Sequence, residues 1–155
     1  MDGRREHTGA PVLGALLSGL VLTVPGAAMG CLSSAAPVRL SLHTDSRAAA
    51  IDAGQLREGS GPRVEVARTR RAVHADVTQV RICWPRFARA AREAHVFSFL
   101  IVPLTGSPQL DGAVSLYGGR SHAFTDADVT TALRAVAGIR RELLGLAADR
   151  TPRRR

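Results

Sequence analysis

The strongest constraint on this chain is a long segment, residues 8–38, that contains no charged side chain. Inside it, the apolar run at residues 12–24 ends at Pro25 and Gly26 and is followed by Cys31. The run is too short to span a bilayer, which takes about 20 helical residues. Two interpretations stay open on length alone: a signal peptide ahead of a lipoprotein-like cysteine, or a buried helix that leads into a first strand.

The chain is basic but has no nucleic-acid signature. Its 155 residues carry a formal net charge of +8. The chain has no lysine, so arginine supplies all of this positive charge, and four arginines lie near the C-terminus, at position 150 and at positions 153–155. A single Trp and a single Tyr cannot supply the stacking surface that single-stranded nucleic acid needs. We therefore expect one domain at residues 11–147, a disordered tail at residues 1–10, a solvated basic tail at residues 148–155, and no nucleic-acid binding by this chain alone.

Hydrophobic periodicity predicts the secondary structure. Alternation at residues 38–43 indicates a strand with one buried face, and the nearly continuous apolar run at residues 96–102 indicates a strand covered on both faces. Antiparallel strands with helices segregated around them are typical of the α+β class. The predicted helices cover residues 12–24, 47–51, 63–68, 86–94 and a long final helix capped by Thr125 and Asp126, and the predicted strands cover residues 29–34, 38–43, 72–75, 96–102 and 113–117.

The final helix carries an apolar stripe whose spacing is close to a heptad repeat. Such a stripe can pack on the sheet, pair with a second subunit, or do both. Its apolar positions are Val129, Leu133, Val136, Ile139, Leu143 and Leu146.

No motif in the sequence indicates catalysis or a resident cofactor. The five histidines are scattered, and none shares a motif with a cysteine or a close carboxylate, so we expect no metal site. Ser60 lies between two glycines but lacks the strand-turn-helix context of a nucleophile elbow. Cys31 and Cys83 form no CxxC or zinc pattern, and we expect two free, buried thiols. The sequence therefore predicts no catalytic residue and identifies no cofactor.

Several short motifs follow one another along the chain in a fixed order. They are Val24-Pro25-Gly26-Ala27, Thr44-Asp45 through Ala53-Gly54-Gln55, Glu58-Gly59-Ser60-Gly61-Pro62, Trp84-Pro85-Arg86-Phe87, Val102-Pro103-Leu104, Gly112-Ala113-Val114-Ser115-Leu116-Tyr117 and Ala123-Phe124-Thr125-Asp126-Ala127-Asp128. This set resembles a GAF domain, most closely the small bacterial GAF domains that are often joined to an RNA-binding ANTAR module. The similarity covers residues 12–146. No ANTAR module follows residue 146, so we do not expect RNA-binding antitermination from this chain.

The resemblance implies a central antiparallel sheet with the N- and C-terminal helices on one face and short helices and loops over the other. The uncharged segment is then core structure. This favours a cytoplasmic protein without a membrane span over a secreted protein or lipoprotein with residues 1–30 as a signal peptide. The implied function is that of a non-catalytic sensory or regulatory domain, binding a small ligand or a signalling partner. A ligand-free, partner-binding remnant stays open as the alternative.

By the same resemblance, a ligand pocket lies between one sheet face and the short helices. A bound molecule would be small and mainly apolar, with Arg63 as an anion contact, whereas the bulk of Phe97, Phe99 and Ile101 equally fits a filled cavity. Arg63 also stands where the family often has Cys, and Ser115 where it often has Asn. The expected pocket residues are Arg63, Trp84, Phe87, Phe97, Phe99, Ile101, Ser115 and Tyr117.

The first and last helices commonly form dimers in this family, and the near-heptad stripe permits the same arrangement here. We therefore expect a homodimer. Its expected interface residues are Leu16, Leu20, Leu133, Val136 and Leu143.

Overall fold

The computed structural model describes residues 10–150, and within this range the chain forms five α-helices, five strands and a short 3₁₀ turn at Val77–Gln79. The helices are α1 (Ala10–Thr23), α2 (Ser46–Glu58), α3 (Pro62–Thr69), α4 (Pro85–Glu93) and α5 (Asp126–Arg150). The strands are β1 (Met29–Ala36), β2 (Leu40–His43), β3 (Val73–Asp76), β4 (Ser98–Pro103) and β5 (Asp111–Gly118).

The strands form one antiparallel sheet in the order β2-β1-β5-β4-β3. β1 and β5 form the central pair, in which Met29 lies opposite Tyr117 at one end and Ala36 lies opposite Asp111 at the other. Successive side chains along a strand point to opposite faces, so the sheet presents two separate surfaces to the helices. The predicted α+β class and the predicted antiparallel sheet are confirmed.

The first sheet face is covered by the N- and C-terminal helices. Leu13, Leu17 and Leu20 form the buried stripe of α1, and they share one core with Val136 and Ile139 of α5. Full burial of each such side chain contributes about 1.5–3 kcal/mol, so this contact is a large part of the fold's stability. The uncharged segment, over residues 10–36, therefore belongs to the folded core.

The second sheet face is covered by α2, α3 and α4. The side chain of Asp45 caps α2 by accepting a hydrogen bond from the backbone N–H of Arg47 at 2.8 Å. The prediction that this helix ends at residue 51 is wrong, because α2 continues to Glu58 and stops at Gly59, whose φ of 63° is left-handed. In its second half Asp52 and Gln55 are buried, while Arg57 and Glu58 are exposed.

The start of β4 also differs from the prediction. His95 has a φ of 59°, and the backbone N–H of Val96 donates to the carbonyl of Ala91 at 2.8 Å, so the chain reverses tightly after α4. Phe97 follows the reversal with backbone hydrogen bonds to Gly118 and Val77, and β4 begins at Ser98.

The two ends of the described range are helical. Ala10 begins α1, and α5 continues to Arg150, so residues 148–150 of the predicted basic tail extend a helix. The rest of both predicted tails, residues 1–9 and 151–155, lies outside the described residues. No helix within residues 10–150 has both the length and the apolar character that crossing a bilayer requires.

Candidate functional site

Alternate residues of the three central strands face α2, α3 and α4. Phe99 of β4 lies opposite Tyr117 of β5, and Ser115 of β5 lies between Cys31 of β1 and Ile101 of β4. All five side chains are buried, and the four apart from Ser115 share one core with the apolar residues of the short helices. The sequence alternation assigns Phe99, Ile101, Ser115 and Tyr117 to this same face.

A group of buried side chains interrupts this apolar layer, and we call it the buried polar cluster. It links the sheet to α2 and α3. Its members are Ser33, Asp52, Gln55, Arg63 and Tyr117.

Asp52 and Arg63 are the charged members of the buried polar cluster. The hydroxyl of Ser33 donates a hydrogen bond to Oδ2 of Asp52, and Nε of Arg63 lies 3.9 Å from its Oδ1. Among the described residues, neither Oδ1 of Asp52 nor Nε of Arg63 has a hydrogen-bond partner. The two charges therefore balance each other electrostatically while two of their polar atoms stay unsatisfied, which is a costly arrangement in a protein interior.

Burial sets the protonation of this cluster. It raises the pKa of the Asp52 carboxyl, against the lowering effects of the Ser33 hydrogen bond and the Arg63 charge. Burial also raises the pKa of the Cys31 thiol and of the Tyr117 phenol far above neutrality, and the nearby Asp52 carboxylate adds to both shifts. Cys31 and Tyr117 are consequently held in their protonated, weakly nucleophilic forms.

Gln55 is the member that connects three elements. Its Nε2 donates to the Tyr117 hydroxyl and to the Ile51 carbonyl, both at 3.4 Å, and its Oε1 accepts from the backbone N–H of Arg63 at 2.8 Å. The last bond satisfies a free N–H in the first turn of α3, whose N-cap residue Gly61 has no side chain. Gln55 thus joins α2, the start of α3 and the sheet.

The Gly59-Ser60-Gly61-Pro62 turn allows this arrangement. Gly61 has a φ of 135°, and a Cβ atom added there would lie 2.5 Å from Oε1 of Gln55. Pro62 then occupies the first turn of α3. Both glycines of this turn have positive φ values, which glycine adopts at little steric cost.

A groove of about 320 Å³ opens between α2 and α4, directly beside the buried polar cluster. Trp84 and Phe87 form its wall on the α4 side, and Ile51 and Gln55 lie on the α2 side. We call it the α2–α4 groove. Phe87 also packs edge-on against Phe99 of the sheet, with ring centroids 5.3 Å apart, so the groove wall is in contact with the core.

The comparison with protein families decides what kind of domain this is. The family model described as GAF domain matches residues 11–139. The chain belongs to the GAF domain family. Among curated proteins, none matches the chain significantly.

Solved structures share this GAF fold at low sequence identity. The GAF domain region of a protein from Geobacter sulfurreducens PCA is 14% identical with a TM-score of 0.68, over 91% of this chain and 96% of that chain. The GAF domain of a two-component sensor histidine kinase from Bacillus halodurans is 6% identical with a TM-score of 0.57, over 88% and 97%. The fRMsr of Staphylococcus aureus, solved in complex with substrate, is 15% identical with a TM-score of 0.53, over 90% and 92%. These likenesses show the fold alone.

The residues expected to line a ligand pocket divide into four places in this GAF domain. Trp84 and Phe87 line the α2–α4 groove. Arg63 is 7% exposed and faces Asp52, so its charge is already used inside the protein. Phe97 is 36% exposed and lies on the far side of α4, away from the groove. The remaining four, Phe99, Ile101, Ser115 and Tyr117, lie fully buried beneath the short helices.

Sequence reasoning missed Ser33, Asp52 and Gln55 of the buried polar cluster. Helical spacing could have found two of them, because Asp52 and Gln55 continue the buried stripe that starts at Ala48 and Ile51. The stripe turns from apolar to polar half-way along α2. A polar residue that continues an apolar stripe is a signal for a buried polar contact.

The residues expected at a dimer interface also separate. Leu16 and Leu133 are exposed, whereas Leu20, Val136 and Leu143 are buried in the core between the terminal helices and the sheet. The near-heptad stripe of α5 therefore packs largely on its own sheet, and its buried half is not available to a second subunit.

The described residues hold no group of three or more His, Cys, Asp or Glu side chains that could bind a metal ion. Cys31 and Cys83 are both free thiols. The prediction that both are buried is right for Cys31 and wrong for Cys83, which lies in the exposed turn at residues 81–83 ahead of α4.

Proposed function

We propose that this GAF domain is a non-catalytic regulatory module that binds a small molecule in the α2–α4 groove. GAF domains are sensory and regulatory domains of signalling proteins, and membership of the family supports a role of this general kind. The observation that carries the proposal is the position of Gln55. It lines the groove and, through its other contacts, holds α3 and Tyr117 of the sheet.

The groove's size and lining define the ligand class. A volume of about 320 Å³ lies at the lower end of the roughly 300–1,000 Å³ of small-molecule sites. The aromatic wall of Trp84 and Phe87 suits a small, flat, mainly apolar molecule. The amide of Gln55 supplies one polar contact, and Arg57 borders the groove where an anionic group would enter, whereas Arg86 is already paired with Glu58.

Ligand binding is coupled to the rest of the domain by the contacts of Gln55. A ligand group that hydrogen-bonds to Gln55 competes with the N-terminus of α3 and with the Tyr117 hydroxyl. Loss of either partner leaves a buried polar group unsatisfied, at a cost of about 1–3 kcal/mol, so the packing of α3 on the sheet must adjust. The sheet carries α1 and α5 on its other face, where exposed Leu16 and Leu133 lie.

The output is then a contact made by α1 and α5 with a second copy or a signalling protein. We propose a homodimer centred on the exposed side of α1, to be tested by light scattering of the full chain with Leu16→Glu as the disrupting variant. A strict monomer at high concentration would rule this arrangement out. The participation of residues 10–36 in the core supports a cytoplasmic protein, and intact-mass analysis of the mature chain tests it against export.

Non-catalytic function is supported by the chemistry of the buried groups. Cys31 and Tyr117 keep their protons, and the Asp52 carboxylate is occupied by Ser33 and Arg63. The alternative of a ligand-free, partner-binding domain is favoured by one observation. Phe99, Ile101 and Tyr117 already fill the sheet face beneath the short helices.

Trp84 makes the ligand hypothesis directly testable, since it is the only Trp of the chain and lines the groove. Small aromatic acids and amides are titrated while its fluorescence is recorded, and native mass spectrometry detects any retained molecule. Gly54→Leu fills the groove from α2, and Ala53→Leu adds the same side chain at an exposed neighbour outside it. We expect Gly54→Leu to abolish the fluorescence response and Ala53→Leu to keep it. Equal responses in both variants would contradict the groove as the site, and no retained or titrated molecule would favour the ligand-free alternative.

A further inference from the structure

A second groove, of about 750 Å³, lies on the opposite side of α4 from the α2–α4 groove. It is bounded by the turn at residues 81–83, by one side of α4, and by the segment that leads into β4. We call it the basic groove. The side chains that matter for its chemistry are Arg81, Ile82, Arg89, Arg92, Glu93 and Phe97.

The arginines of the basic groove lack internal partners. Within residues 10–150, the side chains of Arg81, Arg89 and Arg92 make no ion pair and no hydrogen bond. Arg86, on the other side of the same helix, pairs with Glu58 at 2.5 Å. Arg89 and Arg92 are three residues apart and so lie on the same side of α4, next to one another. Three unpaired guanidinium groups around one groove, against a single carboxylate, give it a net positive charge.

Apolar side chains are exposed between these charges. Ile82 is 89% exposed, although it belongs to a residue type that is usually buried. Phe97 is 36% exposed and forms the opposite wall. Aromatic, aliphatic and arginine side chains gathered in one recess have the composition of a protein interface core.

We propose that the basic groove binds an acidic, amphipathic segment of a partner protein, with carboxylates on Arg81, Arg89 and Arg92 and apolar side chains against Ile82 and Phe97. The carboxylates would form charge-assisted, bidentate contacts with guanidinium groups. Nucleic acid supplies the negative charge but would find a single aromatic residue for stacking. The site is separate from the α2–α4 groove, so it does not depend on the ligand proposal.

The probe is a fluorescein-labelled peptide of Glu, Ala and Leu, about 18 residues long, with leucines three and four positions apart so that they share one helical face. A permuted peptide of the same composition, with leucines on all sides, is the matched control. Fluorescence anisotropy with the full chain measures both. We expect the first peptide to bind at about 10–100 µM and the permuted one about fivefold more weakly.

Variants of the protein separate the groove from the general positive charge. We expect Arg89→Glu combined with Arg92→Glu to weaken binding at least about tenfold, and Ile82→Ser about threefold to fivefold at constant charge. The control combines Arg39→Glu with Arg71→Glu, which are exposed residues elsewhere with the same total charge change, and should weaken binding less than about threefold. Unchanged thermal midpoints, as exposed positions predict, exclude unfolding as the cause.

Three results would overturn the proposal. The first is no anisotropy change up to about 1 mM peptide at low salt. The second is an equal loss of binding in the groove variant and the control variant, which would reduce the effect to net charge. The third is tighter binding of a single-stranded oligonucleotide, or of phosphatidylcholine vesicles containing phosphatidylserine, that is lost in the same groove variant. That result would assign the groove to another class of partner.

Discussion

Replacement of Gly61 by Ala tests the role of Gln55 most directly. The backbone at Gly61 has φ 135° and ψ 168°, a region that is almost restricted to glycine and costs other residues about 1–3 kcal/mol. The added Cβ would also lie 2.5 Å from Oε1 and 2.6 Å from Cγ of Gln55, so this side chain must leave its position. Loss of its bond to the first turn of α3 costs a further 0.5–2 kcal/mol or so. We expect Gly61→Ala to lower the free energy of unfolding by about 3 kcal/mol, a large part of the roughly 5–15 kcal/mol of a typical domain.

Gly59 provides the matched control two residues earlier in the same turn. Its φ is 63°, and an added Cβ would meet nothing within 4 Å. Gly59→Ala should therefore cost only the left-handed backbone penalty, about 1 kcal/mol.

Urea unfolding followed by Trp84 fluorescence and by far-ultraviolet circular dichroism measures both Gly→Ala variants. In a Gln55→Ala background the colliding atoms are gone, so Gly61→Ala should become less costly by about 1 kcal/mol. Equal costs at Gly59 and Gly61, or no change in the Gln55→Ala background, would show that Gln55 does not link α2, α3 and the sheet.

Two further predictions concern the buried charges and the first helix. Arg63→Met leaves Asp52 buried without its compensating charge and should destabilise the domain by about 3 kcal/mol, with partial recovery when it is combined with Asp52→Leu, as measured by urea unfolding. Burial raises the folded-state pKa of Asp52, so the folded chain binds a proton there more readily than the unfolded chain, whose pKa is about 3.9. Stability of the wild type relative to Asp52→Asn should therefore rise as the pH falls from neutral toward 4, and a constant or falling difference would contradict this. Leu17→Ala should cost about 2–5 kcal/mol, whereas Leu22→Ala, at a side chain that is 86% exposed, should stay within about 0.5 kcal/mol in thermal unfolding. Similar small effects at both positions would argue that α1 is not part of the core.

The sequence predicts the elements of this fold that depend on local pattern. The apolar run at residues 12–24 becomes α1, the runs at residues 29–34 and 38–43 become β1 and β2, and the long final stripe becomes α5. Each of these carries its signal in neighbouring residues. The same is true of the cap at Asp45, because capping requires only a side-chain oxygen a few residues from the free N–H groups.

The candidate site was harder to predict because its contacts join distant segments. Nothing in the sequence indicates that Arg63 pairs with a carboxylate, and only the packing of α3 against α2 brings it to Asp52. The left-handed conformation of His95 is found more often for His than for most residue types, but the sequence does not show that the chain reverses there directly after α4. Residue type and spacing thus located the face of the site, while tertiary packing determined which side chains reach solvent.

The two grooves described above share a single nine-residue wall, α4. A small rotation or shift of this helix changes the shape of both recesses at once, because Pro85 borders each of them. If occupancy of one recess moves α4, thermodynamic linkage requires that occupancy of the other alters the first affinity by the same factor. A domain built in this way can convert the concentration of a metabolite into the strength of a protein contact without any large rearrangement of the sheet.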